Sequence, residues 1–320
     1  RSQTIKRKTF TISGSVGLAG VTLKGLPGSV QTDENGVYSA QVDYGWTGKV
    51  QPVKTGYVFQ PPETAYNTKV TANLSDQDYV ATRVKFTISG SVGLPGVVMN
   101  GFPTDVTSDE TGRYTATVDY DWSGTVTPEK AGYRFEPVSR PYANVTKSSQ
   151  DSYQQFEVKF TISGTAERAG ITMKGLPGDP VTGADGTYKA EVPYEWSGTV
   201  VPTRDGCLFT PDKREYVMVT SSQANENYET TVLSYPISGS VGMEGVVLKG
   251  LPGDVVSDAS GFYMASVEHG WSGTVTPEKP GWTFTPPSID HKAVTAAKEN
   301  QNYNSTEIFL KIEGKTGVGQ

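Results

Sequence analysis

Phe10-Thr-Ile-Ser-Gly14, Phe86-Thr-Ile-Ser-Gly90, Phe160-Thr-Ile-Ser-Gly164 and Tyr235-Pro-Ile-Ser-Gly239 are copies of one pentapeptide, spaced by 76, 74 and 75 residues. Self-similarity at a fixed period decides architecture before any local reading does. Each copy opens the same series of signals. Lys24-Gly-Leu-Pro-Gly28 recurs as Asn100–Thr104, Lys174–Gly178 and Lys249–Gly253. A Gly-x-Tyr turn follows at Gly36, Gly112 and Gly186, and as Gly261-Phe262-Tyr263. Then come Trp46, Trp122, Trp196 and Trp271, each before Ser/Thr-Gly, and a Gly-aromatic-x-Phe-x-Pro element at Gly56–Pro61 and Gly132–Pro137. Each series closes on a tyrosine, Tyr79, Tyr153, Tyr228 or Tyr303.

A period near 75 is too long for a solenoid unit and suits one small sandwich per repeat. In the second repeat the pattern predicts strands near 86–92, 97–100, 106–108, 113–119, 124–129, 133–136 and 153–160. About seven short, turn-bounded strands are the pattern of a two-sheet sandwich. Tyr114, Ala116 and Val118 share one parity, and Arg113, Thr115 and Thr117 the other, so one face is buried and one wetted. Gly (36) and Pro (20) are plentiful, as a turn-rich all-β chain requires. The expected fold is all-β: four tandem immunoglobulin-like β-sandwich domains in a rod. The expected segments are a basic arm at 1–9, repeats at 10–85, 86–159, 160–234 and 235–309, and an orphan strand at 310–320.

Asp33-Glu-Asn-Gly36 recurs as Asp109–Gly112 and Asp258–Gly261. Asp bonds its own backbone two residues on and Gly supplies positive φ, so these read as turns. A calcium loop is the competing reading. No Glu stands at the closing position of an EF-hand loop, and Gly183 replaces the first Asp in repeat three. The tryptophans read as core anchors, with an exposed sugar-stacking platform as the alternative. Trp282 and Cys207 stand where Tyr57 and Tyr133 stand, so Cys207, the single cysteine, reads as packing. No intrachain disulfide is possible.

Catalytic chemistry finds no footing. His269 stands in the column of Tyr44, Tyr120 and Tyr194, and His291 in that of Tyr66, Tyr142 and Tyr216. No nucleophile–histidine–acid set, metal cluster or phosphate loop can be assembled. The acid pair Asp43 and Asp119 becomes Pro193 and Glu268 in the other repeats. We expect no enzyme activity and no cofactor.

The series Ile-Ser-Gly, Gly-Leu-Pro-Gly, Gly-x-Tyr, Trp-Ser-Gly-Thr-Val-x-Pro and Gly-Tyr-x-Phe-x-Pro resembles the tandem repeats of bacterial cell-surface and secreted proteins. These are similar to carboxypeptidase-regulatory-like, prealbumin-type immunoglobulin-like domains. The resemblance covers residues 10–309 and implies an extracellular stalk, spacer, adhesin or accessory role. Some related surface domains carry a Lys–Asn isopeptide crosslink. Asn100 replaces Lys24, Lys174 and Lys249 in the second repeat, so that feature is not carried over.

The junctions and ends suggest how such a chain is used. Val80, Thr82, Val84, Phe86 and Ile88 keep one parity across the first boundary with no Gly, Ser or Pro linker. One strand is expected to run directly into the next repeat, giving a stiff joint. Ile308, Leu310 and Ile312 match Val84, Phe86 and Ile88, as if a fifth repeat began there. Arg1, Lys6, Arg7 and Lys8 make a basic arm on a chain whose net charge is −6, which argues against nucleic acid as partner. Two uses follow: a structural filament or stalk subunit joining copies of itself through its terminal segments, or a glycan- or host-binding adhesin module. A chain that opens on Arg1 is also expected to be a processed product or a fragment of a longer array. No apolar run is long enough to span a membrane. Asn73, Asn144 and Asn304 stand in glycosylation sequons.

Overall fold

The structure is a computed structural model that describes residues 7–309, and among these every regular element is a β-strand. The first repeat shows the plan. Its strands are β1 (Thr9–Ser15), β2 (Thr22–Lys24), β3 (Val37–Asp43), β4 (Trp46–Val53), β5 (Tyr57–Gln60), β6 (Thr64–Val70) and β7 (Val80–Arg83). β1 pairs antiparallel with β3, from Thr9↔Asp43 to Ser15↔Val37. β4 lies between β2 and β6, and β5 pairs with β7. The same pairings recur in the other three repeats, the third repeat's β1 counterpart being Lys159–Thr165 and the fourth's Ser234–Ser240.

Strand parity sets the faces. Along β3, Tyr38, Ala40 and Val42 are buried while the intervening residues are exposed. Tyr114, Ala116 and Val118 do the same in repeat two, as the alternation requires. Four hydrophobic clusters result, each drawn from one repeat: Ile12 to Tyr79, Ile88 to Tyr153, Ile162 to Tyr228, and Ile237 to Tyr303. The chain divides into two compact units, one ending at Val158 and the other starting at Lys159. The first unit holds two of the clusters and the second the other two.

Buried tyrosines stitch each core. Tyr38 Oη donates to the Gln77 carbonyl at 2.6 Å, and Tyr79 Oη donates to the Val50 carbonyl at 3.2 Å. The fourth repeat repeats both bonds, Tyr263 to Gln301 at 2.6 Å and Tyr303 to Val275 at 2.9 Å. A phenol buries its ring and still satisfies its hydroxyl, so each one ties strand to loop across the sandwich. Burial holds these phenols in the neutral form. The Tyr66, Tyr153, Tyr228 and Tyr303 pKa values are pushed up to about 12.

Three expectations need correction. The tryptophans pack against the core of each repeat but are not fully buried in it. Trp46, Trp122, Trp196 and Trp271 are half-buried. Each indole folds over the glycine two residues on, where an added Cβ would meet the ring at 2.4–2.7 Å. Each also rests against Tyr66, Tyr142, Tyr216 or His291, 5.5–6.0 Å away. The Trp–Gly spacing sits on a β-bulge, and the indole covers its own strand's glycine while it packs on the edge of the core. Second, Arg140–Val145 is a strand, although Pro141 and weak alternation hide it. Proline is tolerated there because the strand is an edge. Third, residues 106–108 make only a bridge, Val98↔Thr107, and the stretch 153–160 is split at Val158 into Gln154–Glu157 and Lys159–Thr165.

Candidate interaction surface at the joint between repeats

Inside the first unit the chain passes from one repeat to the next through a single residue. Val84 N–H donates to the Gly56 carbonyl of repeat one at 2.9 Å, and the Val84 carbonyl accepts from Tyr120 N–H of repeat two at 2.8 Å. One peptide segment is therefore bonded to both neighbours. The Tyr120 ring lies on Gly56, where an added Cβ would stand 2.6 Å from the ring. Gly56 also has φ of +79°, so a side chain is excluded twice, by strain and by contact. Phe86 packs on the Tyr120 ring at 6.4 Å, much as Phe10 packs on Tyr44 at 6.2 Å.

Charge adds to this joint. Arg83 and Lys85 reach Asp119 at 3.5 and 3.4 Å, and Arg83 also donates to the Tyr120 carbonyl at 3.1 Å. These pairs are well exposed, so they contribute orientation more than stability.

The second unit contains the same construction with different side chains. Leu233 N–H donates to the Gly206 carbonyl and His269 N–H donates to the Leu233 carbonyl, both at 2.8 Å. A Cβ on Gly206 would lie 2.1 Å from the His269 ring. Arg168 pairs with Glu268 across this joint at 3.5 Å, and Tyr235 Oη is 3.4 Å from His269 Nδ1. Tyr120 and His269 of the Tyr/His column thus lie at the joints inside the two units. Reading the sequence picked out that column but missed its glycine partner. The available signal was the glycine that stands three residues before Phe59, Phe135, Phe209 and Phe284 in every repeat.

The remaining expected site residues fall elsewhere. Arg7 pairs with Asp43 of its own repeat at 3.2 Å, and Lys8 Nζ lies 5.2 Å from the Phe10 ring centre. Arg1 and Lys6 lie outside the described residues, as do Leu310 and Ile312. Ile308 is described: its N–H donates to the Gly281 carbonyl at 2.8 Å. Glu307, just before it, ends the strand Asn304–Glu307, which pairs with Trp282–Thr285 of its own repeat. Cys207 is half-buried in the strand Cys207–Thr210.

The Asp turns bind backbone. Asp33 Oδ1 accepts from the N–H groups of Asn35 and Val37, and Asp258 Oδ1 from those of Ser260 and Phe262. Backbone and hydroxyl donors hold the Asp109, Asp185 and Asp258 carboxyls below the usual range. No group of three metal-ligating side chains occurs among the described residues.

No family model matches the chain. No curated protein matches it either. Among solved structures it is similar to the Bacillus anthracis TIE protein, with 11% identity over 96% of this chain and 76% of that one, and a TM-score of 0.52. That likeness establishes a shared β-sandwich fold. Weaker superpositions include BcpA, the major pilin subunit of Bacillus cereus, at 14% identity over 94% of this chain and all of that one, with a TM-score of 0.21. A streptococcal ancillary pilin matches at 9% identity over 70% of this chain and 99% of that one, with a TM-score of 0.28.

Proposed function

We propose that this chain is a non-catalytic structural protein of the bacterial cell surface, a filament or stalk subunit built from four sandwich repeats. The observation that carries this reading is the joint. Consecutive repeats within a unit share one residue, Val84 or Leu233, hydrogen-bonded on both sides with no flexible linker between them. A joint of that kind transmits orientation and tension from one sandwich to the next. Binding modules that act independently are more usefully separated by Gly/Ser segments. The β-sandwich fold shared with the Bacillus anthracis TIE protein is the fold this reading requires. The half-buried indoles are committed to contacts with Gly and with Tyr or His of their own repeats, which removes the motivation for a sugar platform.

The test is negative-stain microscopy of the purified 320-residue chain over a concentration series, with sedimentation in parallel. Linear particles that lengthen with concentration are the expected result. A chain that remains a single particle at every concentration refutes the filament-subunit reading and leaves the stalk.

A further inference from the structure

We propose that each repeat carries a load-bearing clamp between its opening and closing strands, and that the clamp of repeat four yields first under tension. The inference rests on the structural reading above and names the load that such a structure resists.

The clamp is a parallel pair. β1 opens repeat one, and residues 73–79, which close it, run beside β1 in the same direction. Leu74 N–H donates to the Thr11 carbonyl at 2.8 Å, and the Leu74 carbonyl accepts from Ser13 N–H at 2.9 Å. Further along, the N–H groups of Gln77 and Tyr79 donate to the Ser13 and Ser15 carbonyls at 3.1 and 2.9 Å. Side chains extend the ladder at both ends. Thr11 N–H donates to Asn73 Oδ1 at 2.9 Å, and Ser15 N–H to Asp78 Oδ1 at 2.7 Å. The same parallel pairing recurs at Ile88↔Ser149, Ile162↔Gln223 and Ile237↔Lys298.

This contact accounts for the glycine of the Ile-Ser-Gly motif. A Cβ on Gly14 would overlap the Gln77 carbonyl, and one on Gly90, Gly164 or Gly239 would overlap that of Asp151, Glu226 or Gln301. None of these glycines has a positive φ, so each serves close approach of two backbones and not a turn.

The direction of load follows from the topology. The chain enters a repeat at the start of its opening strand and leaves past the end of its closing strand. The two strands are parallel neighbours, so tension draws them in opposite senses along one axis. The bonds between them are then sheared together, whereas an antiparallel hairpin pulled from its open end parts one bond at a time. Forced unfolding is governed by the unfolding rate, so each bond of the pair counts toward the lifetime under load.

Repeat four departs from the others at one rung. Thr87 N–H donates to Ser148 Oγ and Thr161 N–H to Ser222 Oγ, both at 3.0 Å, as Thr11 does to Asn73. In repeat four Pro236 stands in the threonine column and Ala297 in that of Asn73, Ser148 and Ser222. Proline has no N–H and alanine no acceptor, so both halves of the rung are gone together. The neighbouring rungs are kept. Lys298 N–H donates to the Pro236 carbonyl at 2.9 Å, and Ser240 N–H to Asn302 Oδ1 at 2.8 Å. A repeat that yields first lengthens the chain and limits the tension on the repeats that stay folded.

The experiment pulls single intact chains, held by peptide tags at the two termini, at constant force in optical tweezers. Extension is expected to grow in steps of one repeat, with one step shorter-lived than the rest. The paired substitution Pro236→Thr and Ala297→Ser should lengthen that step's lifetime about fivefold, the factor given by one ordinary hydrogen bond. Ser222→Ala, at an exposed position, should shorten another step by a similar factor. Ser272→Ala is the control. It removes a bond of the same kind, from Ala293 N–H at 2.8 Å, outside the parallel pair, and should leave every lifetime unchanged. A shortest-lived step that ignores the paired substitution overturns the weak link. Lifetimes indifferent to Ser222→Ala, or equally sensitive to Ser272→Ala, overturn the clamp. Single chains are pulled, so either failure leaves the filament reading to its own microscopy test.

Discussion

Replacing His291 with tyrosine should stabilise the fourth repeat and remove its sensitivity to mild acid. His291 is buried and its Nε2 has no hydrogen-bond partner among the described residues. The tyrosines in its column each find an acceptor. Tyr66 donates to Gln77 Oε1 at 3.0 Å, Tyr142 to Asp151 at 3.1 Å and Tyr216 to Glu226 at 3.0 Å. The acceptor already stands ready in repeat four. Gln301 Nε2 donates to the Glu299 carbonyl at 2.8 Å, as Gln77 Nε2 donates to that of Ser75, so its Oε1 is presented in the same way. Space is available too, because Trp271 lies 6.0 Å from the His291 ring and Trp122 lies 5.8 Å from Tyr142. A new neutral hydrogen bond contributes about 1 kcal/mol, and relief of a buried unpaired nitrogen about 1 kcal/mol more.

The pH dependence has a definite sign. Burial first, then the nearby Lys298 charge, lowers the His291 pKa below 6.5, with Asp290 opposing. The folded state therefore binds its proton more weakly than the unfolded state. The stability linked to neutral His291 is full above pH 6.5 and is lost as pH falls through the folded value. His291→Tyr should abolish that loss in repeat four. Amide hydrogen exchange read by mass spectrometry resolves the repeats separately. Protection in Trp271–Glu278 and Ile289–Val294 should rise about tenfold or more in the variant, since about 1.4 kcal/mol is one decade. Unchanged protection, or an acid response equal to that of the wild type, would refute the reasoning.

Further outcomes follow from the same structure. Gly56→Ala should destabilise the first joint by about 1–2 kcal/mol from positive φ alone. Exchange should quicken at the Val84 and Tyr120 amides, and rates there equal to the wild type would count against the joint. Trp122→Ala should cost about 2–3 kcal/mol, less than a fully buried indole, because the ring is only half-buried. A urea midpoint that does not move would contradict its packing on Tyr142 and Phe102. Raised tyrosine pKa values mean that the stability they confer is intact below pH 10 and lost as pH climbs through about 12. The phenolate signals of the buried Tyr66, Tyr153, Tyr228 and Tyr303 should therefore appear together with loss of β-sheet circular dichroism. Ionisation of these four buried tyrosines near pH 10 in a still-folded chain would exclude this linkage.

The sequence by itself determined the repeat, the all-β class and the faces of the strongest strands. Those are local properties: Tyr38, Ala40 and Val42 alternate whatever surrounds them, and Asp33 bonds Asn35 and Val37 within its own turn. It also aligned His269 and His291 with tyrosine columns, since internal repeats allow position-by-position comparison inside one chain. Tertiary structure decided the rest. Arg140–Val145 is a strand because an edge tolerates Pro141, and edge position depends on pairing and not on composition. Trp46 is half-buried because a bulge turns it onto Gly48, which hydrophobicity alone does not reveal. The joint is the least legible feature. Gly56 and Tyr120 are far apart in sequence, and neither residue type marks a contact surface alone. Only packing brings an open backbone at one repeat's end against a ring at the start of the next, with Val84 bonded to both.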